Sequence, residues 1–136
     1  MLLIEDNRDD ALFLERAFSK AGLVEIERII DDGQEAMDYF RGQGEFRDRS
    51  RYPLPTHVLL DLKVPKVDGL QILEWIRKSE ELKGISVAVL SSSGERVDRE
   101  RAVRLGVDGY FIKPSRTGEL LEIVRQLGAL WRLPGK

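Results

Sequence analysis

The chain has 136 residues, 22 of them basic and 24 acidic, a net charge of −2 and no cysteine. That length matches one domain around one core, and a near-neutral balance offers no general attraction to nucleic acid or to an anionic membrane, so neither is expected as a partner. Without cysteine there is no disulfide or thiolate metal site, the lone His57 excludes a multi-histidine site, and no apolar run is long enough for a membrane span or a signal peptide, so a cytoplasmic protein is expected.

Short apolar runs alternate with helix-period segments along the chain, the pattern of an α/β protein with a parallel sheet. The first run, Met1–Ile4, meets Glu5; residues 9–21 then place Leu14, Ala17, Phe18 and Ala21 on one helix face, and Gly22 stops that helix. A second run, Val24–Ile30, leads to Asp32 and Gly33, which open a short helix ending near Gly42. Arg41–Thr56 is polar, basic and broken by glycine and proline, which predicts a long loop over about 42–56, functional, mobile or simply solvated. The third run, Val58–Leu60, meets Asp61, and Asp68-Gly69 opens a helix with Leu70, Leu73 and Ile76 inward. After the run Ile85–Leu90 comes a weakly apolar helix, Arg96–Leu105, expected to be a mobile element. A fifth run, Val107–Ile112, precedes a helix from Thr117 to Trp131 with Leu120, Val124, Leu127 and Trp131 in register and Leu121 and Leu130 widening the stripe. There is no repeat, so one domain over 1–136 with a short tail at 132–136 is expected.

Glu5, Asp6 and Asp61 fall at the carboxyl ends of predicted strands, which in a right-handed doubly wound sheet share the ligand-binding edge. Singly, Asp6 or Asn7 reads as a helix cap and Asp61 as a turn residue. Together, three crowded acids repel one another unless a hard cation lies between them, and Mg²⁺ suits carboxylate, carbonyl and water oxygens. Ser91 and Lys113 end the fourth and fifth strands on the same edge. A carboxylate attacking phosphorus needs cations for the transferred charge, here Mg²⁺ and Lys113, and a donor such as Ser91 for a phosphoryl oxygen. Asp61 is therefore the candidate phosphoacceptor.

The segments Leu3–Asn7, Leu60–Gly69, Leu90–Ser93 and Tyr110–Pro114 resemble, in order and spacing, the receiver domains of two-component response regulators. The resemblance covers essentially the whole chain. It implies a flavodoxin-like, five-stranded parallel sheet of order 2-1-3-4-5 surrounded by five helices. It further implies that Asp61 takes a phosphoryl group from a histidine kinase, with Mg²⁺ held by Asp6, Asp61 and the backbone carbonyl of Lys63, and by Glu5 through water. Lys113 would pair with the phosphoryl group or with Asp61, Ser91 would move to a phosphoryl oxygen, and Tyr110 would turn inward as the switch. Family precedent makes Lys113-Pro114 a candidate cis peptide. The side chain of Lys63, two residues past the acceptor, is expected to point to solvent.

The long loop and the opening Glu5–Asp10 are similar to those of stand-alone regulators partnered with bacterial phytochromes, which makes a phytochrome kinase the expected partner. After the last helix only Arg132–Lys136 remain, so output by contact alone is expected. Leu127, Leu130, Trp131 and Leu133 form a candidate homodimer face, the alternative being that Trp131 folds back onto its own core. Three rivals stand beside this reading. A Mg²⁺-dependent aspartyl phosphohydrolase usually carries a second acid where this chain has Lys63, a flavin carrier would find its phosphate repelled by Glu5, Asp6, Asp9 and Asp10, and a receiver-like module that is never phosphorylated would not need the complete residue set. A switch rather than a turnover enzyme is therefore expected.

Overall fold

The computed structural model describes residues 1–23 and 26–135; positions 24 and 25 of the second predicted strand and position 136 of the tail lie outside the described residues. Five strands, β1 (Leu2–Ile4), β2 (Arg28–Ile30), β3 (His57–Leu60), β4 (Ser86–Ser91) and β5 (Gly109–Ile112), alternate with helices α1 (Arg8–Lys20), α2 (Gly33–Arg41), α3 (Gly69–Lys78), α4 (Arg96–Arg104) and α5 (Thr117–Trp131). All strand pairs are parallel and the order is β2-β1-β3-β4-β5, as the sequence resemblance implies.

Successive strand residues point to opposite faces, and both faces are covered by helices. Leu2, Ile4, Val58, Leu60, Val87 and Val89 pack with α2, α3 and α4, burying Phe40, Leu73, Ile76 and Ala102. Leu3, Leu59, Ala88 and Leu90 pack with α1 and α5, burying Leu14, Phe18, Val124 and Leu127. The fifth strand is shorter than its apolar run: β5 begins at Gly109 because Gly106, in the left-handed region at φ 74°, and Val107, whose N–H donates to Ala102, complete the turn leaving α4. No helix among the described residues is long and apolar enough to cross a membrane.

The 42–56 segment is packed rather than a loose polar excursion. Gly42 caps α2 in the left-handed region at φ 67°, a short 3-10 turn follows over Gly44–Phe46, and Phe46 is only 2% exposed. The rings of Tyr39, Phe46 and Tyr52 meet at centroid distances of 5.0 to 6.4 Å. Arg49 donates to the carbonyls of Tyr39, Phe40 and Tyr52, satisfying acceptors that the end of α2 leaves open. Tyr39 donates its hydroxyl to the Pro53 carbonyl at 2.7 Å.

The expected dimer face divides. Leu127 and Trp131 are buried in the chain's own core, Leu133 packs partly against it, and Leu130 alone of the four is widely open, at 50% exposure. Trp131 folds back because its indole Nε1 has a partner inside the chain, Asp108, and its ring lies against His57. The inward part of the stripe, Leu120, Val124, Leu127 and Trp131, packs in one cluster with Leu3, Leu59, Ala88 and Leu90 of the sheet.

Candidate functional site

The hydrogen-bond ladder carries each candidate residue to one edge. One residue beyond β1, Glu5 donates its backbone N–H to Ile30; one beyond β3, Asp61 donates to Ile4; one beyond β5, Lys113 donates to Ser91. Glu5, Asp6 and Asp61 each offer a carboxylate oxygen, and these lie within 4.8 Å of one another. Glu5 and Asp61 are 2% and 4% exposed, whereas Asp6 is open to solvent.

Local structure fixes these positions. Asn7, rather than Asp6, caps α1 by accepting from the Asp10 N–H, and the Asn7 N–H donates to Glu5 Oε2. Asp61 Oδ1 accepts from the Lys63 N–H at 3.1 Å, while the Lys63 side chain is exposed. Gly69 lies so close behind the acceptor that a Cβ there would stand 2.4 Å from the Asp61 carbonyl oxygen. The Lys113–Pro114 peptide is trans, contrary to the expectation from family precedent. Proline lowers the cost of the cis isomer without abolishing the trans preference, and the Lys113 N–H continues the β4–β5 pairing.

Lys113 enters the acid cluster as a cation. Its Nζ lies 2.6 Å from Glu5 Oε1, 2.8 Å from Asp10 Oδ2 and 2.9 Å from Asp61 Oδ2. Burial alone would lower the ammonium's pKa, but the hydrogen bonds to Asp10, Glu5 and Asp61 outweigh it and hold Lys113 charged, above its ordinary value. Burial pushes the Glu5 carboxyl up to about 7, and Asp61 beside it adds to the effect. Asp61 shifts the other way: burial alone would raise it, but the hydrogen bonds from Lys113, the Lys63 N–H and Glu5 keep it below the usual carboxylate range. The site therefore holds one preferentially ionised, buried carboxylate beside a fixed cation. The remaining acid oxygens suit a hard divalent ion.

Ser91 is fully buried at the end of β4, its Oγ accepting from the Ser93 N–H at 3.3 Å. Tyr110 is half-buried on β5 and donates its hydroxyl to the Ser93 carbonyl at 2.8 Å, with the Arg99 guanidinium 5.3 Å from its ring centre. Ser93 also donates its hydroxyl to Asp98 at 2.6 Å, linking the loop after β4 to the first turn of α4. The sequence pattern singles out neither the Ser93–Asp98 bond nor a place for Asp10 in the site. The available signal for Asp10 was its spacing, four residues from Asp6 across the first turn of a predicted helix. A second acidic group, Asp31, Asp32 and Glu35, belongs to the start of α2, where Asp32 accepts from the Glu35 N–H as its cap.

Sheet order, strand-end acids and a strand-end lysine together define a doubly wound α/β protein built to hold anionic groups and a cation at one edge. The family model for the response regulator receiver domain matches residues 1–125. The chain is 37% identical to a probable methanogenesis regulatory protein, FilR2, of Methanothrix harundinacea, over 99% of this chain and 87% of the relative. The crystal structure of the phosphorylated cyanobacterial phytochrome response regulator RcpA superposes with a TM-score of 0.86 at 34% identity, covering 98% of this chain and 96% of the other. That of the Mn²⁺-bound response regulator Rcp1 superposes with a TM-score of 0.85 at 31% identity, covering 98% and 97%. The chain belongs to the response regulator receiver family of two-component signalling.

Proposed function

We propose that Asp61 is the phosphoacceptor of this receiver and that a sensor histidine kinase is the donor. The observation that carries the reading is the Lys113 ammonium 2.9 Å from the buried Asp61 carboxylate, with oxygens of Glu5 and Asp6 in the same cluster. An ionised Asp61 oxygen attacks phosphorus, the P–O bond forms as the P–N bond of the donor phosphohistidine breaks, and the leaving imidazole nitrogen keeps the electron pair and takes up a proton. Lys113 stays protonated and pairs with a phosphoryl oxygen, and the Ser91 hydroxyl donates to another. The donor set fits a magnesium ion held by Asp6, Asp61 and the Lys63 carbonyl, with Glu5 reached through water; it would neutralise charge on the transferred group.

Recruiting Ser91 Oγ to the phosphoryl group removes the acceptor of the Ser93 N–H and loosens the loop that holds the Tyr110 hydroxyl. Tyr110 turning inward is then a shift between two packings, and the chain acts as a cytoplasmic switch signalling by contact rather than as a turnover enzyme. The likeness to RcpA, a phytochrome response regulator, and to a red-light-signalling regulator of R. palustris supports a phytochrome kinase as donor. Homodimerisation would use the outer face of α5, where Leu130 is an exposed large hydrophobic residue; L130E should then convert a sedimenting dimer to a monomer.

Incubation with Mg²⁺ and acetyl phosphate tests the acceptor. The wild type should gain one acid-stable, base-labile phosphoryl group and D61N none; equal labelling of D61N overturns the assignment. D6A should keep the fold and lose Mg²⁺ binding, and retained affinity removes Asp6 from the ligand set.

A further inference from the structure

An ammonium has three N–H donors, and Lys113 meets three carboxylates. Glu5 and Asp61 belong to the acid cluster after the strands, whereas Asp10 reaches in from the first turn of α1, 2.8 Å from Nζ and partly open to solvent. Asp10 is outside the three acids that share a candidate cation position, and its bond to Lys113 spans a separation of 103 residues. Capping does not require its carboxylate, because the residue's own backbone N–H satisfies Asn7.

We infer that Asp10 is a positioning residue that tethers the Lys113 ammonium from the α1 side while Asp61 reacts. This rests on the phosphoacceptor reading above. When the Asp61 carboxylate becomes an acyl phosphate it loses its charge at the bonded oxygen, and the donor that faced Asp61 must turn to the phosphoryl group. Glu5 would be shared with a bound divalent ion, since it belongs to the acid cluster that would hold one. Asp10 is the one carboxylate of the three that neither reacts nor enters that ion's donor set, so it holds the lysine stem in place through the transfer. A neutral side chain of the same size weakens this third anchor of the ammonium, and orientation is what a phosphoryl-transfer site supplies.

The test compares wild type, D10N and D10E as full chains with acetyl phosphate at saturating Mg²⁺. Losing one charge-assisted hydrogen bond to Lys113 should lower the maximal phosphorylation rate by about tenfold in D10N, with the half-saturating donor concentration little changed, and D10E should recover most of the rate. In urea unfolding without divalent ions, D10N should cost more stability in the Lys113 protein than in a K113Q background, which reports the pairing independently of phosphorylation. A wild-type maximal rate in D10N, or additive effects of D10N and K113Q on unfolding, overturns the inference. A wild-type chain that takes up no phosphoryl group instead overturns the parent reading, and the two failures are thereby distinguished.

Discussion

The indole Nε1 of Trp131 donates to Asp108 Oδ2 at 2.9 Å, tying the last residue of α5 to the turn that enters β5. A side chain that from sequence looks like an interface anchor is thus part of the chain's own closure. W131F should lose about 1 kcal/mol through the missing hydrogen bond, and W131A about 3–5 kcal/mol through the cavity, both read by urea unfolding. Equal stability of W131A and wild type would place the indole outside the core.

His57 faces Trp131 with ring centroids 4.8 Å apart, and its Nδ1 lies 2.8 Å from the Thr56 hydroxyl. Burial disfavours its charged form, and the N-terminal ammonium adds repulsion, so the folded-state pKa lies below the ordinary 6.5. The unfolded chain therefore binds the proton first as pH falls, and stability present above about pH 6.5 declines as pH drops toward the folded value. In thermal unfolding between pH 8 and 5, wild type should lose stability relative to H57Q as pH falls; parallel curves would exclude His57 as a titrating group.

The sequence marks Asp68-Gly69 as a helix start but not how closely it backs onto Asp61. A Cβ on Gly69 would lie 2.4 Å from the Asp61 carbonyl oxygen and 2.6 Å from Leu62 Cα, both backbone atoms that cannot yield cheaply. G69A should cost about 1–3 kcal/mol and also depress phosphoryl uptake, because relief of the clash displaces the acceptor. Gly84 has nothing within 4 Å of its virtual Cβ, so G84A is the control, expected to be neutral or slightly stabilising. Wild-type labelling of G69A would show that the acceptor tolerates the shift.

The fold was legible in the sequence because short unbroken apolar runs and period-3.6 stripes are local patterns: with helices on both faces of the sheet, Leu3 and Leu59 face one layer and Ile4 and Leu60 the other, so consecutive strand residues are all apolar. The strand-end acids and Lys113 were legible because a parallel ladder delivers every strand end to the same edge. Partnerships formed across the fold were not. Nothing at position 10 announces a lysine 103 residues away, and Asp108, which accepts from Trp131, falls inside the fifth apolar run with nothing to mark it. The 42–56 loop misleads because Arg49 reads as solvated charge, whereas its guanidinium closes carbonyls at the end of α2.

Arg77 shows the same kind of hidden bond. It donates to the carbonyls of Leu105, Lys83, Ile85 and Gly106 at 2.7 to 3.0 Å, joining the end of α3 to the turns before β4 and β5. A lysine keeps the charge without the planar fork, so R77K should lose about 2 kcal/mol, measured by chemical unfolding. An unchanged midpoint would mean water replaces those contacts without cost.

Glu5 yields a prediction whose sign changes with the metal. Its folded-state pKa, pushed from 4.5 up to about 7 by burial and by Asp61, means the fold favours the neutral acid. That contribution is full below about pH 4.5 and is lost as pH rises to about 7, whereas E5Q has no proton to release. Without divalent ions, E5Q should therefore gain stability relative to wild type across that window and hold the advantage at pH 8. Adding Mg²⁺ at pH 8 should reverse the order, because the ion stabilises the chain that binds it more tightly and the ionised Glu5 strengthens binding. Unfolding temperatures of both proteins, with and without Mg²⁺, decide the matter. A difference that stays flat with pH, or an equal Mg²⁺ response in E5Q, would remove Glu5 from both the titration and the metal's surroundings.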